Sequence, residues 1–194
     1  GAWAGHYALG WTIVPSAIKP RLVAEFNHAS GDSDPRDGRR QTFDQLYPTN
    51  HTKYGIADQM GWRNMRDAMV GIELVPVKKL KLNADVHRLF LATTSDGLYT
   101  APGTLKVLNR QAASRTVGTE LDVQAVYAFS KELSLGAGVG TLFASDYIVQ
   151  STGAGTARPR RGAPWRCCGR AGSRSSCIGC PTCLAQRSIR IAPT

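Results

Sequence analysis

Cys177, Cys180 and Cys183 are separated by two residues each, with Cys167 and Cys168 upstream, a spacing that suits thiolate ligands of zinc or an iron–sulfur cluster. Such a site needs a fourth ligand on a folded scaffold and reducing surroundings. Residues 157–194 contain no His, and their Arg-, Gly- and Pro-rich composition offers no scaffold, so no metal is expected. Asp32, Asp34 and Asp37 with Gly38 resemble the opening of a calcium loop, where alternate carboxylates converge on a hard cation. The closing Glu is missing, because residues 41–45 offer only Asp44, and an exposed acidic turn is the expected role. Glu120 and Asp122 are two residues apart, close enough for paired-carboxylate acid–base work. A hydrolase would also need a nucleophile beside a base. His6, His28, His51 and His87 are scattered, however, and Ser30 and Ser95 sit in turn contexts. The run Gly136 to Gly140 lacks the full glycine fingerprint of a phosphate loop. We therefore expect no catalytic residues, no metal and no cofactor.

The elements that carry these residues are best read after separating two compositions. The formal charge is +10 over 194 residues, but residues 157–194 hold eight Arg and no Lys, Asp or Glu. The remainder carries 16 basic against 14 acidic side chains, so no nucleic-acid partner is indicated. All five Cys also lie beyond residue 156. We divide the chain into residues 1–150, a sheet-forming body, and 151–194, an irregular Arg/Cys-rich tail. The chain begins at Gly1 without an initiator Met or signal peptide, which reads as processing or as a fragment.

The body has a period of two. Six segments of about eight to twelve residues alternate apolar with small, polar or charged side chains. In "WAGHYALGWTI", Trp3, Tyr7, Leu9, Trp11 and Ile13 oppose Ala4, His6, Ala8, Gly10 and Thr12. In "RLVAEFN", Leu22, Ala24 and Phe26 oppose Val23, Glu25 and Asn27; in "MVGIEL", Val70, Ile72 and Leu74 oppose Met69, Gly71 and Glu73. "LKLNADVH" sets Leu82, Ala84 and Val86 against Lys81, Asn83, Asp85 and His87. "TELDVQAVYAF" sets Leu121, Val123 and Tyr127 against Glu120, Asp122 and Gln124, and "LSLGAGVGTLF" sets Leu135 and Val139 against three glycines. Connections alternate between short ("VPSAIKP", "VPVKK", "SKE") and long (residues 30–61 and 93–117).

An antiparallel meander of about six strands with this rhythm predicts an all-β fold, a segment of a transmembrane β-barrel. A soluble antiparallel sheet shares the period, packing its apolar face inward. Three features favour the membrane: aromatics near strand ends, opposite faces crowded with Gly and ionisable groups, and no second layer to cover the apolar faces. The alternative is a soluble β-sheet binding protein with a basic, Cys-rich interaction tail.

The segments "FNHASGDSDPRDGRRQTFDQLYPTNHTKYGIADQMGWRN" and "LKLNADVHRLFLATTSDGLY" resemble the alginate-export family of bacterial outer-membrane porins, over roughly residues 20–150. The resemblance implies a monomeric barrel in the bacterial outer membrane, of which this chain is the C-terminal third. It further implies passive transport, by export or uptake, of an anionic polysaccharide or other small solute, with membrane lipid as the surrounding partner. A loop of some thirty residues with its own apolar side chains is functional more often than not. On this reading it folds over or into the pore mouth, packed down by Phe43, Leu46, Tyr47 and Trp62. His51, Lys53, Arg63 and Arg66 would face the solute, and Glu73, Lys81, Asp85, His87, Glu120 and Asp122 would line the pore.

Strand direction then requires a seventh, downward strand after about Gln150, finishing on an aromatic. The sequence from Ala157 offers no alternation and no terminal Phe. Its Arg, Gly, Ala, Pro, Cys and Trp are favoured when GC-rich DNA is read out of frame, so a frameshift near codon 156 is expected. Resequencing the gene tests this, and an intact frame would refute it. Six strands also fall short of the eight in the smallest closed barrels, so the 194-residue chain alone is predicted not to conduct.

Overall fold

In the computed structural model, residues 1–13, 18–47 and 53–152 are described. His51, the tail cysteines and the proposed frameshift lie outside them.

Alternating side chains become strands where each face has somewhere to go, and six long strands form. They are β1 (Ala4–Thr12), β2 (Arg21–Ala29), β3 (Met65–Val77), β4 (Leu80–Leu91), β7 (Thr116–Ala128) and β8 (Ser134–Ala144). A short hairpin, β5 (Leu98–Tyr99) and β6 (Leu105–Val107), sits between β4 and β7. Helix α1 (Asp146–Ser151) follows β8, where the sequence reading carried its sixth strand on towards Gln150. The sheet order is β1-β2-β3-β4-β7-β8, every neighbouring pair antiparallel, so the all-β meander is observed. Short connections lie at one end of the sheet, here the turn end, and residues 30–64 and 92–115 at the other, the loop end. Pro76, which has no N–H for a ladder, falls within the irregularity between Leu74 and Val77.

Side chains directly opposite in a ladder point to the same face, so the pairing sorts the whole sheet. One face carries the rows Leu9–Ala24–Val70–Val86–Leu121–Thr141 and Trp11–Leu22–Ile72–Ala84–Val123–Val139. The other carries Ala8–Glu25–Met69–His87–Glu120–Leu142 and Gly10–Val23–Gly71–Asp85–Asp122–Gly140. We call them the outward and inward faces. The outward face is not covered by other parts of the described chain: Leu9 is 74%, Trp11 67% and Val70 61% exposed. Continuous exposed apolar area of this extent marks contact with a membrane or another apolar phase.

The core lies on the inward face at the loop end. Tyr54 and Met60, from the 30–64 connection, pack with Met65, Leu89, Leu91, Val117 and Leu142 of the strands, Leu98 of the hairpin and Tyr147 of α1. The long connections are thus folded onto the sheet. Asn64 joins them: its side chain donates to the carbonyls of Thr93 and Gly97 and accepts from Thr93 N–H, each at 2.9 Å.

Candidate polar belt of the inward face

The six strands contain six carboxylates, Glu25, Asp67, Glu73, Asp85, Glu120 and Asp122, and the pairing rows place all of them inward. Near the loop end they build a connected network. His6 Nδ1 is 2.6 Å from Asn27 Oδ1, and Asn27 Nδ2 donates to Asp67 Oδ2 at 3.2 Å. His87 Nδ1 lies 3.1 Å from both Asp67 oxygens, and its Nε2 lies 3.9 Å from Asp122 Oδ2. The network crosses five strands, from β1 to β7. Buried polar groups must be paired in this way, since leaving one unmet costs about 1–3 kcal/mol.

At its far end the belt holds the inturned connection. Asp122 Oδ2 accepts from Ile56 N–H and Glu120 Oε1 from Ala57 N–H, both at 2.8 Å. Two glycines permit this approach. Gly55 has φ +97°, and a Cβ there would collide with the Glu120 carboxylate. A Cβ on Gly140 would meet Ile56 Cβ at 3.1 Å. The glycines of β8 leave room on the inward face, and Ile56 occupies part of it. Glu120 and Asp122 are consequently shut from solvent, at 0% and 2% exposure, and act here as clamps.

Toward the turn end the inward face is open. Lys53, Tyr54 and Trp62 of the connection face Glu25, Asp85 and His87 across a cleft of about 390 Å³. Arg21 and Glu73, half-exposed, pair at 2.8 Å, and Lys81 and Asn83 line the same wall. Of the residues assigned from sequence to pore or mouth, Lys53, Glu73, Lys81, Asp85 and His87 therefore share one inward surface with Glu120 and Asp122.

Two assigned residues stand elsewhere. Arg63 is tied within the connections, donating to Asp44 Oδ1 and lying 5.9 Å from the centre of the Tyr99 ring. Arg66 pairs with His28 and Phe90, one residue out of phase with inward Asp67, so it projects outward. Its numbering beside the long connection suggested the mouth; the strand's parity overrides that. The packing expectation also splits. Phe43 meets Trp62 edge-on, with ring centres 5.3 Å apart, while Leu46 and Tyr47 are 85% and 83% exposed. Two flanking residues were not anticipated at all. Asp67 is the hub of the network, though "RNMRDAMV" shows no apolar alternation. Asp96 accepts from Thr42 Oγ1, Asp32 N–H, Tyr99 Oη and Gly97 N–H at 2.5–3.0 Å, joining the two long connections. Burial alone would raise the Asp96 carboxyl, but these four donors outweigh it and hold it below 3.8. Burial and the bond to Asp96 push the Tyr99 hydroxyl up to about 12. In the acidic segment, Asp34 and Asp37 accept from Arg36 and Arg39 N–H, closing local turns.

A meander with lipid-ready side chains outside, carboxylates inside and a connection folded onto the inner surface defines part of a membrane β-barrel of the transport type. The family model for alginate export matches residues 1–163, and the chain belongs to that family of outer-membrane porins. Comparison with curated proteins gives no significant match.

Proposed function

We propose that this chain is wall and internal constriction of an outer-membrane barrel that conducts a polar solute, saccharide or smaller, by diffusion along its inward face. The supporting observation is the segregation of charge: every strand carboxylate is inward, while the outward rows between the two ends are apolar and exposed. The path runs past Glu25, Glu73, Lys81, Asp85 and Lys53, and the segment from Tyr54 to Trp62 narrows it. Acidic and basic side chains alternate along this wall, so it meets the solute with pairs of opposite charge rather than a field of one sign. A polyanion passing here would be met by Arg21, Lys53 and Lys81. No chemistry on the solute is invoked, and no nucleotide.

The test is conductance of the reconstituted barrel containing this segment. Converting Glu25, Glu73 and Asp85 to their amides should shift the reversal potential in a salt gradient toward anion permeation. Unchanged selectivity, with the variant barrel folded and conducting, would place the path elsewhere.

A further inference from the structure

We propose that the outward face binds the phosphate of a glycolipid in the outer leaflet, through Arg66 and Arg88 at the loop end of β3 and β4. The inference rests on the outer-membrane reading above and adds a site to it. Apart from the phenols of Tyr7 and Tyr127, the six strands set three ionisable side chains outward, His28, Arg66 and Arg88. All three are basic, and all lie in the two rows nearest the long connections, Gly5–His28–Arg66–Phe90 and Tyr7–Phe26–Ala68–Arg88–Thr119. The rows below them hold only apolar side chains, Thr141 and, at the turn end, Tyr127. Long connections of such barrels lie on the extracellular side, so this pair sits at the level of the outer headgroups.

Arg66 pairs with Phe90, and Arg88 with Ala68, which makes the two arginines diagonal neighbours on one face. Diagonal neighbours are about 7–8 Å apart, a separation that two guanidinium arms close around one phosphate. Both arms are positioned by neutral contacts. Arg66 Nε donates to His28 Nδ1 at 3.3 Å, and the His28 ring is stacked against Trp3 with centres 4.0 Å apart. Arg88 donates to Thr119 Oγ1 at 2.5 Å and lies 5.6 Å from the centre of the Phe90 ring. Among the described residues no carboxylate pairs with either guanidinium. Two unneutralised cations at the rim of an apolar band leave their donors to an anion from the membrane, and the guanidinium fork suits phosphate. Acyl chains of the same lipid would lie on Val70, Val86 and Leu121 beneath. The strand carboxylates, which would have repelled such a headgroup, are all on the other side of the sheet.

The barrel containing this segment is folded into phosphatidylcholine vesicles containing a small fraction of diphosphoryl lipid A or its dephosphorylated form. Insertion is measured by protease protection, and retained lipid by native mass spectrometry after mild detergent extraction. The wild type should retain the diphosphoryl lipid, and Arg66→Gln with Arg88→Gln should cut retention about tenfold, as expected for loss of a charge-assisted contact. Arg21→Gln, on the inward face, should leave it unchanged, and Arg66→Lys with Arg88→Lys should retain an intermediate amount. Equal retention of the dephosphorylated lipid, undiminished retention by an inserted glutamine variant, or displacement by millimolar inorganic phosphate would overturn the glycolipid site alone. Failure of the wild-type barrel to insert in any vesicle would overturn the membrane reading together with the site.

Discussion

The two faces of the sheet are built from the same strands, residue by residue, yet they are completed by different materials. Outward, the apolar rows stop at bare Leu, Val and Trp side chains, and the only charges are basic groups at the loop end. Inward, the loop-end half is finished by the chain itself. Ile56 and Ala57 sit on Asp122 and Glu120, and a network from His6 to Asp122 links buried polar side chains strand by strand. The turn-end half of that face stays open around Arg21, Glu73 and Lys81. A soluble sheet would cover its apolar side and wet the other. Here the chain has spent its long connections on the polar side, which is sensible only if another solvent covers the apolar one.

Substitutions that treat the faces unequally sharpen this contrast, and the largest effect is expected from charge on the outward midline. Val123→Arg should lower stability in a bilayer by about 2–4 kcal/mol. Gln124→Arg, one residue along and inward, should stay within about 0.5 kcal/mol. Denaturant titration of the vesicle-folded protein compares them, and equal costs would erase the distinction between the faces. Next in size is Asp67→Ala, which strips partners from both Asn27 and His87 and should cost about 1–3 kcal/mol in the same titration. Gly55→Ala should cost about 1–2 kcal/mol through its left-handed backbone, before any clash with Glu120 is counted. It should also release the connection, seen as faster hydrogen exchange at Ile56 and Ala57 while the strand amides keep their protection.

The smallest effect is pH-dependent and lies outside the bilayer. Because the Asp96 carboxyl is depressed in the fold, its contribution is complete above the ordinary value of 3.8 and is lost as pH falls through the lower folded value. Protection of residues 92–99 from proteolysis should therefore be flat from neutrality to that value and decline below it. Asp96→Asn should weaken protection at neutral pH by about 1 kcal/mol and remove the acid-dependent step.

The sequence made the lower part of the sheet readable and obscured the upper part, for one physical reason. Where the inward face meets water, inward residues are charged or small, and the period of two stands out, as in "LKLNADVH". Where the connections cover the inward face, Met65, Leu89, Leu91 and Val117 are apolar as well, so both faces look alike. That is why β3 begins at Met65, earlier than the alternation from Met69 implied, and why Arg66 was assigned to the mouth. The carboxylates of the belt were visible as inward groups, but their role was not. Whether Glu120 meets a solute or a backbone amide depends on a partner more than sixty residues away, Ala57. Asp96 and Asn64 carried no local signal, since each acts by joining two connections far apart in sequence.

Spin labels placed singly from position 120 to 125, in a cysteine-free background reconstituted in lipid, test the central claim most directly. Collision rates with oxygen, which concentrates in hydrocarbon, should peak at Leu121, Val123 and Ala125 and fall at Glu120, Asp122 and Gln124. A water-soluble nickel relaxant should not reach the odd positions. If the odd positions met the nickel reagent freely, or were sheltered from oxygen and nickel alike, acyl chains would not be covering the apolar rows, and the barrel-wall account would be wrong.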